Sequence, residues 1–168
     1  YKLCCSFWEP FDEERESSIL PCVIYLHGNS SSRCEAFNQV EFLLPKNITL
    51  FSFDFCGCGK SEGNYISLGY YEQDDVDCII DYLKKTNKVS NIALWGRSMG
   101  AVAAIMYASK KPEMISAMIL DSGFYSLKTL MNELVATKIS LPQFIIDQML
   151  RKIKGTIKEK ANFNLDEI

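Results

Sequence analysis

Asn91-Ile92-Ala93-Leu94-Trp95-Gly96-Arg97-Ser98-Met99-Gly100-Ala101-Val102-Ala103-Ala104-Ile105-Met106-Tyr107-Ala108 is the stretch on which the fold turns. Its first five residues form a short, largely apolar run of the kind that makes a strand buried on both faces. Its last eight are rich in small side chains, which let a helix lie close against a sheet. Between them, Gly96-Arg97-Ser98-Met99-Gly100 matches G-x-S-x-G, the pattern of a serine on a sharp strand-to-helix turn. Such a turn requires that the residues two before and two after the serine lack side chains, and Gly96 and Gly100 meet that condition. Ser98 is therefore expected at the carboxyl end of a strand and beside a helix N-terminus, whose dipole and unpaired N–H groups favour developing negative charge.

Working outward, Cys22-Val23-Ile24-Tyr25-Leu26 is a second apolar run, ending at His27-Gly28-Asn29-Ser30. Ile48 to Phe53 repeats that design and ends in Asp54 and a glycine-rich turn containing Gly57 and Gly59. Residues 33 to 45 read as a helix closed by Pro45. Residues 70 to 85 place Val76, Ile79, Ile80 and Leu83 on one helical face, with Glu72, Asp74, Asp75, Asp77 and Asp81 mostly on the other, predicting a surface helix packed on a sheet. A further strand, Ala117 to Leu120, ends at Asp121-Ser122-Gly123. Strand alternating with helix predicts an α/β fold: a mainly parallel sheet with helices on both faces, right-handed crossovers, and functional groups at the carboxyl ends of the strands.

After Gly123 the pattern turns helical, over about 126 to 137 and 143 to 154 with Pro142 between, and does not return to a strand. The sheet is expected to be incomplete on its C-terminal side, with an edge open to strands of another chain or to self-association. No repeat or linker interrupts the chain, so residues 1 to 168 read as one partial domain. Residues 124 to 155, with Phe124, Tyr125, Leu127, Leu130, Met131, Leu134, Phe144, Ile145, Ile146, Met149 and Leu150, read either as a cap or as two ordinary packing helices.

Composition narrows the classes. A chain of 168 residues with 48% hydrophobic and 23% charged residues can bury a core, which excludes disorder, collagen and coiled coil. The net charge of −3 offers no general attraction to nucleic acid or anionic lipid. Residues 151 to 160 are the exception, with five basic residues against Glu159, and read as the solvated face or end of a helix. No apolar run approaches the ~20 residues that span a bilayer, so no transmembrane segment is expected. Seven cysteines, mostly within apolar segments, read as free thiols of a reducing, intracellular compartment, with cytoplasm favoured and peripheral membrane contact left open. Neither Cys56-Gly57-Cys58 nor Cys4-Cys5 has zinc-ligand spacing, so no metal is expected. Gly59-Lys60-Ser61 ends like a phosphate-binding loop, but Asp54 stands where that loop needs glycine, and Glu62 spoils the dinucleotide fingerprint. No cofactor is predicted. The chain begins at Tyr1 rather than Met, which reads as a cut point.

Acyl transfer needs two convergent N–H donors, and the backbone N–H groups of Asn29 and Met99 are the candidates. His27 is the only histidine in the chain. Its place before a turn favours a packed structural role, with a general-base role as the alternative.

His27-Gly28-Asn29, Asp54-Phe55-Cys56-Gly57-Cys58-Gly59, Gly96-Arg97-Ser98-Met99-Gly100 and Leu120-Asp121-Ser122-Gly123 together resemble, in order and spacing, the α/β-hydrolase family over roughly residues 20 to 125. The resemblance is to its serine-aminopeptidase-like branch, which includes monoglyceride-lipase-like and depalmitoylase-like enzymes. It implies Ser98 as nucleophile, Met99 and Asn29 as oxyanion donors, and His27, Gly28, Gly96, Gly100, Asp54, Gly57 and Gly59 as structural support. Many relatives carry arginine where this chain has Cys56, which implies the loss of an ion pair. In this family the acid and histidine follow the serine in sequence. No histidine follows Ser98 here; Asp121 can be read as an acid or as a structural corner, and neither Asp147 nor Asp166 follows a strand. The expectation is a serine hydrolase acting on an acyl ester, thioester or amide, with a small and lipid-like substrate if 124 to 155 form a cap. The 168 residues alone should be nearly inactive. A non-catalytic binding protein of the same fold is the alternative.

Overall fold

The computed structural model describes residues 1–127, 129, 130, 143–164 and 168. Its elements run β1 (Cys5–Trp8), β2 (Leu20–Leu26), α1 (Phe37–Leu43), β3 (Thr49–Phe53), α2 (Glu72–Thr86), β4 (Val89–Arg97), α3 (Met99–Lys110), β5 (Ala117–Asp121) and α4 (Gln143–Ala161). The five strands form one sheet in the order β1-β3-β2-β4-β5, with β1 antiparallel to β3 and the other pairs parallel.

The sheet grows from β2 first toward β3 and then back toward β4 and β5. Because parallel crossovers are right-handed, that reversal puts α1 on one face and α2 and α3 on the other. The two core clusters follow. Cys22, Ile24 and Leu26 of β2 pack with Ile80, Leu83 and Ala103 on one face, while Val23 and Tyr25 pack with Ala36 and Leu43 on the other. Period-two alternation along β2 thus serves both layers at once, which is why its apolar run is continuous. The predicted α/β architecture, a mostly parallel sheet covered on both faces, is the one observed.

Several local expectations need correction. Cys5–Trp8, which the sequence pattern did not mark as a strand, forms an edge strand with Phe7 opposite Phe51. Pro45 does not close the helix over 33 to 45; α1 ends at Leu43 and Pro45 lies inside a following 3-10 turn, early enough that its missing N–H breaks no bond. The acidic side of α2 is not uniformly solvated. Glu72 and Asp75 are buried because each carboxylate has partners: Glu72 accepts from Ser67 N–H (2.8 Å) and Gly69 N–H (2.8 Å), and Asp75 from Tyr1 Oη (2.6 Å) and Cys56 N–H (2.7 Å). Of the seven thiols only Cys22 and Cys58 are buried; Cys5, Cys34 and Cys78 are exposed.

β5 forms the other edge, paired to β4 alone, and it is exposed, with Ile119 at 49%. Among the described residues no strand follows it. The chain divides into two compact units, Tyr1–Gly123 and Phe124–Ile168. The second contains α4, and in it Leu127 N–H donates to the Ile168 carbonyl (3.1 Å). Met131, Leu134 and Asp166, together with most of the helix expected over 126 to 137, lie outside the described residues, as do the side chains of Phe144, Ile146, Met149 and Leu150. Among the described residues no helix is long and apolar enough to cross a membrane.

Leu94 in the middle of β4 is fully buried between the layers. Leu94→Ala should cost about 2–5 kcal/mol, the range for a large-to-small change in a core. Ile105→Ala, at a position 44% exposed on α3, should cost clearly less; urea denaturation of both variants measures the difference.

Candidate active site

Ser98 joins β4 to α3 with φ 51° and ψ −113°, a conformation that a non-glycine residue adopts only when its surroundings impose it. Those surroundings are identifiable. A Cβ on Gly96 would lie 2.6 Å from Ala101 N, and one on Gly100 would lie 2.5 Å from the Leu26 carbonyl carbon. Both glycines are therefore required by backbone approaching backbone, and the first turn of α3 sits directly on the end of β2. The Ser98 N–H donates to the Asp121 carbonyl (2.8 Å), while the Ser98 carbonyl accepts from Ala101 (3.0 Å) and Val102 (3.1 Å). The half-buried Ser98 hydroxyl stands at the carboxyl edge of the sheet. The Met99 N–H is the first of α3 and has no intrahelical acceptor.

The loop after β2 comes to the same edge. Gly28 is buried and Asn29 exposed. His27 is fully buried and both ring nitrogens are engaged: Nε2 accepts from Phe55 N–H (3.1 Å), so Nδ1 carries the proton and donates to the Gly28 carbonyl (2.8 Å). Burial lowers its pKa, which favours the neutral ring. His27 thus clamps the loop after β2 to the loop after β3, and neither nitrogen is free to take a proton from a serine.

A network absent from the sequence reading ties this loop to the turn at Ser98. Glu35 accepts from Tyr25 Oη (2.8 Å), from Gly28 N–H (3.4 Å) and from both Nε and Nη2 of Arg97, the latter at 3.1 Å. Burial pushes the Glu35 carboxyl up, but hydrogen bonds from Arg97, Ser31 and Tyr25 and the Arg97 charge outweigh it and hold its pKa at about 2. The Arg97 guanidinium lies over Gly28, where an added Cβ would come within 2.9 Å of Nη2. Contacts between residues 62 apart leave no local signature, which is why periodicity and motif spacing did not reveal Glu35.

Asp54, fully buried after β3, accepts from Arg33 N–H (2.7 Å), Arg33 Nη1 (2.7 Å) and Lys60 N–H (2.8 Å). Burial raises its pKa, and these hydrogen bonds with the Arg33 charge more than reverse the effect, keeping it ionised. Arg33, from the turn before α1, thus gives the buried Asp54 carboxylate an ion-pair partner that the sequence pattern did not reveal. Gly59, at φ +53°, closes over this carboxylate, and Gly57, at φ +77°, faces the Tyr65 carbonyl at 2.6 Å from an added Cβ. Asp121, at the end of β5, contributes its backbone carbonyl to Ser98, and its exposed carboxylate accepts from the adjacent Ser122 hydroxyl (2.8 Å). Among the described residues no cluster of histidine, cysteine and carboxylate ligands could hold a metal.

A strained serine between two obligatory glycines, at the carboxyl edge of a doubly covered sheet, is the turn that G-x-S-x-G implies, and the model of the serine aminopeptidase family, S33, matches residues 18–166. The chain belongs to that family, within the α/β-hydrolases. It is 31% identical over 133 residues to the uncharacterized protein YfhR of Salmonella typhimurium, covering 72% of this chain and 45% of that protein. It is 25% identical over 123 residues to the monoglyceride lipase of Mus musculus, covering 71% and 39%. Esterase Pf2001 of Pyrococcus furiosus superposes with a TM-score of 0.66 at 28% identity, covering 88% of this chain and 56% of that one. The chain spans less than half the length of these two sequence relatives.

Two outcomes follow from this geometry. Gly100→Ala should destabilise the fold by about 1–3 kcal/mol or more, because the methyl group meets rigid backbone. Gly155→Ala, in α4 with nothing within 4 Å of the new Cβ, should stabilise by roughly 0.5–1 kcal/mol; chemical denaturation reads both. The depressed Glu35 pKa also has a definite pH consequence. Its contribution is present above its ordinary value of 4.5 and is lost as pH falls from there toward about 2. Glu35→Gln should flatten that part of the acid-denaturation profile relative to the wild-type chain.

Proposed function

We propose that Ser98 is the nucleophile of a serine hydrolase that forms an acyl-enzyme from a small ester, thioester or amide. The observation that carries this reading is the imposed backbone of Ser98, φ 51° between Gly96 and Gly100, which projects a hydroxyl at the mouth of the sheet at the expense of strain. Attack of Oγ on the acyl carbon places negative charge on the carbonyl oxygen. The N–H groups of Met99, at the start of α3, and of Asn29, in the loop held by His27 and the Glu35–Arg97 pair, are the donors assigned to that oxygen. Asp54, Gly57 and Gly59 shape the neighbouring loop; Asp121 holds Ser98 through its carbonyl and takes the acid role only if a base reaches it.

A serine hydroxyl attacks poorly unless a base removes its proton. The one imidazole of these 168 residues is committed to Phe55 and Gly28, so the base and the acid that orients it belong to residues outside this stretch, on strands that would add to β5. An ester of an acyl chain is the favoured substrate class. Support for it comes from the similarity to monoglyceride lipase and to the Pyrococcus esterase, with residues 124 to 155 as cap.

Hydrolysis of an activated acyl ester tests the assignment. The 168-residue chain should turn over at no more than the residual level of about 10³–10⁴-fold above water that oxyanion donors and binding leave when triad members are absent. A rate typical of an esterase that vanishes in Ser98→Ala would place the base inside these residues and refute that expectation. In a protein extended to the length of its relatives, a fluorophosphonate should label Ser98 rapidly, and Ser98→Ala should abolish labelling. Labelling at another residue would overturn the nucleophile assignment, and preference for small polar peptides over acyl esters would overturn the substrate class.

A further inference from the structure

The helix α4, in the second compact unit, carries a concentrated run of positive charge. Arg151, Lys152, Lys154, Lys158 and Lys160 stand against Asp147 and Glu159 on this helix, in a protein whose net charge is −3. Arg151, Lys152, Lys158 and Lys160 are exposed. No ion pair forms at Lys152, Lys158 or Lys160 among the described residues. Ile153 and Ile157, one turn apart and therefore on one face, line an open groove of about 450 Å³ together with Lys152 and Thr156. Ile153 is 37% exposed. Lys152 flanks this apolar pair, and Lys160, two turns beyond Ile153, stands at its end.

We propose that α4 is a peripheral docking helix whose Ile153–Ile157 face, bordered by Lys152 and Lys160, seats against an anionic lipid bilayer. Charge complementarity selects the occupant. The exposed Arg151, Lys152, Lys158 and Lys160 concentrate positive charge on one helix of an acidic protein, and each lysine near an anionic surface adds attraction there. The isoleucines then enter the boundary between headgroups and acyl chains, as the apolar face of an interfacial helix does. A nucleic acid fits less well. Its phosphates would be met by the lysines, but residues 145 to 162 contain no aromatic side chain on which a base could stack. Lys154 has partners of its own and is not needed.

Co-sedimentation with vesicles tests this without any dependence on Ser98, so its outcome is separate from that of the hydrolase reading. The 168-residue chain should pellet with vesicles of one part phosphatidylserine to two parts phosphatidylcholine, and not with phosphatidylcholine alone. Binding should collapse at about 1 M salt, where the Debye length is about 3 Å. Replacing Lys152, Lys158 and Lys160 together by Gln should weaken it on the order of 100-fold. Ile153→Ser with Ile157→Ser should weaken it about tenfold, as expected if their apolar area enters the bilayer. All five positions lie on this helix's outer turns, and circular dichroism of each variant establishes that it folds. Absence of binding to the anionic vesicles, equal binding by the triple lysine variant, or tighter binding to a short DNA duplex than to vesicles at the same salt would overturn the proposal.

Discussion

The backbone of Gly100 rests on the last carbonyl of β2, and most of the functional edge of the molecule depends on that contact. It brings α3 down onto the sheet and forces the chain at Ser98 into a positive-φ conformation, with its carbonyl accepting from Ala101 and Val102. A single methyl group at Gly96 or Gly100 would collide with backbone that has nowhere to move. The small residues that follow, Ala101, Ala103 and Ala104, continue the close approach and are fully buried. Packing and chemistry are here one constraint: the strain at Ser98 persists because the helix–sheet interface over-determines it.

Around that contact the carboxyl edge is stitched by buried and half-buried polar groups that belong to different loops. His27 joins the loops after β2 and β3, Asp54 joins the loop after β3 to the turn before α1, and Glu35 with Arg97 joins that turn to the residue preceding Ser98. Each group is costly to bury alone and is stable only because its partners are supplied. Such satisfied networks fix loop positions better than apolar packing does, since hydrogen bonds specify direction as well as distance. The consequence is that the loop after β2 is held to the turn at Ser98 through Gly28, Glu35 and Arg97. The second compact unit contains something different in kind, a helix with exposed Arg151, Lys152, Lys158 and Lys160.

Much of this was legible from the sequence because it is local. Alternation and continuity of apolar residues marked four of the five strands, and their order with the helices between them implied a parallel sheet covered on both faces. The G-x-S-x-G pattern carried its own steric reason, so Ser98 could be singled out before any coordinates. The count of one histidine, placed directly after a strand, already separated the presence of a nucleophile from the presence of a base. These inferences needed only chain neighbours, periodicity and the volumes of side chains.

What tertiary structure alone decided was pairing between distant residues. The edge strand Cys5–Trp8 reads as an apolar tail until it is seen beside β3, because one strand's partner is not encoded in its own residues. Glu72 and Asp75 look like surface acids on a helical wheel, yet they are buried against Ser67, Tyr1 and Cys56. Arg33 supplies the charge that meets Asp54, and Arg97, an unspecified position in the serine motif, becomes the link to Glu35. Sequence determines where the backbone must turn and which faces must be covered, since those follow from sterics and hydrophobic periodicity. Which charge meets which is settled only when the sheet brings its loops to one edge, because burial without a partner is unaffordable and the partner comes from wherever the fold puts it.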